Sequence, residues 1–141
     1  MNRLAVAKAW GLQQPLFRRD SIHVDEIDVS SGGYCSVHRH DRKHNLFQVL
    51  YGSLTVLTFS DDLRLIRTDQ LEVAGHCLVR AGWLHQFWSR GGCIAQEVYY
   101  GTQDGNLRVC EQDIYRVPDF ALGGRALTLD AVPSLLETVH A

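Results

Sequence analysis

The chain is poor in proline, methionine and cysteine: its 141 residues include three prolines, one methionine and four cysteines. The prolines, at 15, 118 and 133, lie outside the middle of the chain. Cys35, Cys77, Cys93 and Cys110 form no Cys-x-x-Cys pair and no dense framework, so we expect buried free thiols rather than a disulfide scaffold. No apolar run approaches the ~20 residues that span a bilayer, which excludes a membrane helix. Lys8 interrupts the only apolar stretch near the start, so the first residues do not read as a secretion signal and we expect a soluble cytoplasmic protein. Basic residues are not in excess either: 14 Lys and Arg stand against 16 Asp and Glu, a net charge of −2. A nucleic-acid binder shows a basic balance or a clustered basic face, so nucleic acid is excluded as the main partner.

Hydrophobic residues are abundant, at 45%, enough for one globular core. Between residues 22 and 100 they fall in short runs rich in Val, Ile, Leu, Phe and Tyr, with glycines at 32, 33, 52, 75, 82, 91 and 92 between them. Runs such as 54–59, 63–67, 77–80 and 94–100 are too short for typical helices. Close-set strands of this kind indicate an all-β sandwich or barrel. Gly52-Ser53 and Asp61-Asp62 read as tight hairpin connections. Helical turns are expected only at the termini, over 3–10 and over 131–140, where Pro133 stands near the start and Leu135, Leu136 and Val139 give a partial apolar face. No repeat, low-complexity segment or linker interrupts the chain, so we expect one domain over 1–141 with a core at about 20–118.

Three of the seven histidines fall between 38 and 44. On a strand, residues i and i+2 share a face, so His38 and His40 can aim two imidazoles at one point. Neutral imidazole is the commonest protein ligand for transition metals. A third histidine, His85, lies in the later segment Gly82-Trp83-Leu84-His85.

In these residues the chain resembles the cupin superfamily. Gly32, His38, His40 and Gly52 match the frame of the first cupin motif, with Asn45 where that motif has Glu. Gly82 and His85 match the end of the second, with Arg80 in place of its Pro and Gly75 one residue closer than usual. The resemblance implies a jelly-roll β-barrel, a mononuclear divalent metal (Fe, Mn, Ni or Zn) on His38, His40 and His85, and a homodimer. Asn45 or His44 would be a weak fourth ligand. Parity leaves that choice open, because both faces of 44–51 are apolar enough to be core; the family alignment turns Asn45 inward and His44 outward.

Trp10-Gly11, Lys43, Glu97-Val98 and Asp113-Ile114-Tyr115-Arg116 resemble the sugar-phosphate-isomerase-like cupins, among them the mannose-6-phosphate isomerase type II group. This implies a small-molecule ligand of the sugar or sugar-phosphate class. Glu97 and His44 are the nameable bases; Lys43, Gln48, Arg80 and Phe87 are candidate substrate contacts, and Arg116 can also bind an anion through its guanidinium fork. His23, His76 and His140 have no partner at metal spacing and read as surface or satisfied histidines. Three activities stay open: a metal-assisted sugar isomerase, a three-His non-haem iron dioxygenase, and a non-catalytic binding protein.

Overall fold

A computed structural model of the protein describes residues 5–19, 21–101 and 112–139, with side chains in the last helix as far as Leu136; Cys110 and His140 lie outside the described residues. The chain folds into two facing antiparallel sheets. The first has six strands: β1 (Val6–Lys8), β2 (Gly11–Arg19), β3 (Ile22–Val29), β6 (Lys43–Gly52), β9 (His76–Val79) and β11 (Cys93–Gly101), in the order β1-β2-β3-β11-β6-β9. The second has β4 (Gly33–Tyr34), β5 (His38–Arg39), β7 (Leu54–Phe59), β8 (Leu65–Leu71), β10 (Leu84–Trp88), β12 (Tyr115–Arg116) and β13 (Gly124–Arg125). This is an all-β jelly roll. Among the described residues no helix is long and apolar enough to cross a membrane.

The N-terminal helical expectation is corrected: Val6–Lys8 is a strand, paired with Gly11–Gln13 in a tight hairpin. A helix of at most two turns cannot offset its nucleation cost, whereas pairing to β2 satisfies the same backbone groups at once. At the other end α1 (Pro133–Val139) forms as the proline and apolar spacing suggest. Pro15 sits in β2 beside a bulge between Pro15 and Phe17, where its missing N–H is tolerated; the extra residue leaves both Leu16 and Phe17 exposed.

Period-2 alternation is clean on the first sheet. In β6, Lys43, Asn45, Phe47 and Val49 face the interior, while His44, Leu46, Gln48 and Leu50 face outward. On the second sheet β7 and β10 are buried on both faces. One face packs on Ile27, Phe47, Val49 and Ala95 in the interior. The other is covered by residues of the C-terminal segment, Val117, Ala126, Val132 and Leu135, which pack on Leu57, Phe59, Leu84 and Trp88. Trp88 Nε1 donates to the Ala126 carbonyl at 3.1 Å, and Ser134 Oγ donates to Gln86 Oε1 at 2.5 Å.

Asp61-Asp62 does lie in a hairpin connection, between β7 and β8. Gly52-Ser53 does not: β6 pairs with β11 and β9, and β7 with β10 and β8, so this dipeptide carries the chain from one sheet to the other. Gly52 has φ +79°, and a Cβ there would stand 2.4 Å from the Gly92 carbonyl oxygen. Gly52→Ala therefore combines left-handed strain with a backbone clash. We expect a loss of about 2 kcal/mol or more, read as a lower midpoint in urea unfolding.

Candidate metal centre

His38 stands on β5, His40 two residues on, and His85 on β10 directly across from His38 in the ladder. The sequence-predicted trio is thus brought together: one ring nitrogen from each lies within 4.8 Å of the other two, and all three residues are buried. The ring centroids are 4.3 to 5.4 Å apart.

The second nitrogen of each ring is already committed. Nδ1 of His38 lies 2.8 Å from the Ser36 carbonyl, Nδ1 of His40 is 2.7 Å from that of Asp113, and Nδ1 of His85 is 3.0 Å from that of Trp83. A carbonyl oxygen only accepts, so each Nδ1 carries the proton and donates it. In the neutral ring Nε2 is then a bare lone pair. Among the described residues, Nε2 of His40 and of His85 are buried without a hydrogen-bond partner. Such orphaned acceptors are costly and rare, and a cation is the partner that would satisfy them together.

The rings are held neutral. Burial pushes His40 down to about 3, helped by the charges of His85, Lys43 and Arg116. Burial likewise lowers His85 to about 4 and His38 well below its ordinary value, His38 with help from its two histidine neighbours. Neutral imidazole is the form that ligates a metal. The residues present therefore fit a divalent ion of the Fe, Mn, Ni or Zn type, held by three nitrogens with coordination positions to spare.

His38 and His40 of the trio line a cavity of about 540 Å³. Across it, β11 and β3 run side by side with Glu97 opposite Asp25. Glu97 is buried; Asn45 Nδ2 donates to its Oε2 at 3.1 Å and the Tyr99 hydroxyl donates to the same oxygen. Burial raises Glu97 to about 7, with the nearby Asp25 charge adding to the rise. Asp25 is itself ion-paired with Arg18 at 2.5 Å and accepts from Gln13 Nε2 at 2.6 Å. The carboxylate absent from position 45 thus stands on the neighbouring strand, tied to Asn45. Among the described residues Asn45 Oδ1 accepts no hydrogen bond, while its amide is spent on Glu97.

Lys43 and Phe87 line the cavity. The Lys43 ammonium lies 4.4 Å from the Tyr99 ring centroid, and Phe87 packs edge-on against Trp10. His44, Gln48 and Arg80 lie outside it. His44 is on the outer face of β6, its Nδ1 accepting from Ala81 N at 3.0 Å and its ring against Tyr100. Gln48 shares that outer face by parity, and Arg80 is exposed just beyond β9. Phe47 and Val49 on the core pull Lys43 and Asn45 in with them and turn His44 and Gln48 out.

Of the two readings of His23, surface or satisfied, the surface one is set aside: it is buried and lines the cavity beside Gln13, Arg18 and Asp25. A period-2 reading of Ile22–Val29 carries the signal, because placing Ile27 and Val29 in the core places His23 and Asp25 beside them. The Asp113–Arg116 motif forms one wall. Asp113 accepts from Asp41 N and Arg42 N at 2.9 and 2.8 Å while its carbonyl holds His40, and Ile114 and Arg116 face the cavity.

No protein-family model and no curated protein matches the chain. Solved structures do. Bacillus subtilis oxalate decarboxylase, described with Mn(II) centres, aligns with TM-score 0.66 at 12% identity over 81% of this chain and 30% of its own. Lactobacillus farciminis oxalate decarboxylase, in a formate complex, aligns with TM-score 0.66 at 14% identity over 82% of this chain and 34% of its own. KdgF from a Halomonas species aligns with TM-score 0.61 at 10% identity over 74% of this chain and 92% of its own. The chain spans about a third of the length of the oxalate decarboxylases it matches. At these identities the likeness is one of fold, the all-β jelly roll described above.

Proposed function

We propose that this protein is a metal-dependent cupin enzyme that moves a proton on a small polyoxygenated substrate, of the sugar or sugar-phosphate isomerase or epimerase type. The observation that carries the reading is the convergence of three neutral imidazoles whose Nδ1–H groups are spent on carbonyls, two of them with buried, unpartnered Nε2 atoms. His38, His40 and His85 would hold the ion. The Mn(II) centres named for a structural neighbour make manganese the first metal to load. When bound, the ion would supply Lewis-acid polarisation of a substrate carbonyl.

Glu97 is the proton carrier in this reading. A carboxyl raised to about 7 is divided between acid and base forms near neutrality, which is where general acid–base catalysis is most effective. Both of its hydrogen bonds fall on Oε2, from Asn45 and Tyr99, which leaves Oε1 to exchange a proton with substrate. The charge of nearby Asp25 adds to the rise of Glu97. Trp10, Phe47 and Phe87 give the cavity an apolar side that keeps bulk water from the transfer.

The test is solvent deuterium incorporation into a panel of aldose and ketose phosphates by manganese-loaded protein. We expect Glu97→Gln to lower that rate by roughly 10²- to 10⁴-fold while elemental analysis finds the same metal content. Loss of metal in the variant would make Glu97 a ligand instead; unchanged rate would remove it from the reaction. A second reading, a non-haem iron dioxygenase, draws on the absence of a carboxylate from the metal-facing trio. Oxygen uptake by the ferrous protein with no deuterium incorporation would select it.

A further inference from the structure

Beside the histidines lies one more buried polar atom that the fold leaves unsatisfied. Among the described residues Thr58 Oγ1 is buried without a hydrogen-bond partner, like Nε2 of His40 and of His85. Thr58 is 2% exposed and stands on β7, whose six residues are all buried. Leu54 and Val56 belong to the interior cluster, Leu57 and Phe59 to the outer one, so period 2 turns Thr58 inward with the first pair. His85 points inward as well, because its strand mate Phe87 is in the interior cluster while Leu84 and Trp88 are in the outer one. Across β10, His38 is the ladder partner of His85 on one side and Thr58 is its partner on the other. The three make one row on the second sheet, where neighbours across strands stand about 5 Å apart at Cβ.

Valine has nearly the shape of threonine, suits a strand as well and needs no partner. An orphaned hydroxyl in a core costs stability and is rare. Thr58 therefore calls for a partner that the polypeptide does not supply, and its place in the row sets that partner beside His85. An ion held by imidazole nitrogens brings oxygen atoms with it, from water or substrate, at the positions the protein leaves open. A hydroxyl can donate one hydrogen bond and accept two, so it suits such an oxygen in either role. We propose that Thr58 is a positioning residue of the metal centre, its hydroxyl hydrogen-bonded to an oxygen of water or substrate that shares the site with the ion beside His85. This rests on the metal centre of the reading above and extends it to a residue outside both histidine segments.

The experiment is cobalt(II) titration of metal-free protein, followed by visible absorption, with urea unfolding of the metal-free forms in parallel. Thr58→Val removes the hydroxyl and keeps the shape; Thr58→Ser keeps the hydroxyl and loses a methyl. We expect Thr58→Val to weaken cobalt binding about tenfold and to shift the visible bands, while its metal-free form unfolds at a higher urea midpoint than wild type. Thr58→Ser should return affinity and bands to near wild type, although the lost methyl lowers its midpoint. Equal cobalt affinity and identical bands in wild type and Thr58→Val would overturn the proposal and leave the three-histidine centre standing. A lower midpoint for metal-free Thr58→Val would also overturn it, by showing that the hydroxyl has a partner within the protein. So would Thr58→Ser binding cobalt as weakly as Thr58→Val. Wild type that takes up no cobalt would overturn the centre and this inference together.

Discussion

Elemental analysis of the His38→Ala/His85→Ala double variant should find no metal after loading with Mn, Fe, Ni or Zn salts under conditions where the parent takes close to one equivalent. The expectation rests on a division of labour within each ring: one nitrogen is anchored, the other is aimed. Removing an anchor loosens the aim and costs roughly 10- to 100-fold in affinity. Removing two aimed nitrogens leaves a single imidazole and should cost far more. Asp113→Ala supplies the intermediate case, because its carboxylate clamps to Asp41 N and Arg42 N the segment whose carbonyl orients His40. It should fall in the 10- to 100-fold range. His44→Ala, on the outer face of the barrel, should change nothing. A parent that takes up none of the four metals would overturn the metal centre altogether.

Acid should unfold the metal-free protein abruptly below about pH 5. Three histidines are neutral in the fold, with His40 near 3 and His85 near 4 against about 6.5 in an unfolded chain. Because the folded values are depressed, the unfolded chain takes up the protons first. Stability is therefore complete above about 6.5 and falls with pH until the folded values are reached. Each histidine contributes a slope of about 1.4 kcal/mol per pH unit, so His40 and His85 alone cost on the order of 5 kcal/mol by pH 4.5. That is comparable to the whole stability of many domains. Glu97 runs the other way. Its folded value near 7 lies above the unfolded carboxyl, so its contribution is fully present below about 4.5 and is lost as pH rises through 7. The stability of the metal-free protein should level off near pH 7, and Glu97→Gln should steepen its rise between about 4.5 and 7. Metal, which binds only the folded neutral rings, should move the acid midpoint down. Tryptophan fluorescence against pH, with and without manganese, reads all three effects; an acid midpoint independent of metal would count against the site.

The metal trio is legible from its spacing because a strand repeats every two residues and His-x-His declares its own face. His85 follows from the second motif, and the ladder then sets it against His38. The all-β architecture is legible for a similar reason, since the short apolar runs survive as β7, β9 and β11 within a residue of their expected limits, and the run at 63–67 as β8, shifted to Leu65–Leu71. Position 45 is harder. Lys43, Asn45, Phe47 and Val49 alternate with His44, Leu46, Gln48 and Leu50, and neither set is polar enough to declare itself outside. Only packing against the second sheet decides. Gly52-Ser53 misleads because a glycine between two strands marks a sharp turn without saying which strands pair across it. His23 and Asp25 hide because a buried charge needs its partners, Arg18 and Gln13, and these come from another strand.

The double cover over β10 has a kinetic side. That strand pairs with β7 along one edge and with β4 and β5 on the other, its inner face lies against the barrel core and its outer face under the C-terminal segment. Its amides can meet solvent only when that cover and both ladders open together. In hydrogen–deuterium exchange they should be among the last to exchange, at the free energy of global unfolding. Amides of the β1–β2 hairpin, which edges the other sheet and has an exposed β1, should exchange by local opening. His85 thus sits on the least yielding strand of the molecule, while the wall of the cavity that β1 contributes is free to breathe around an entering ligand.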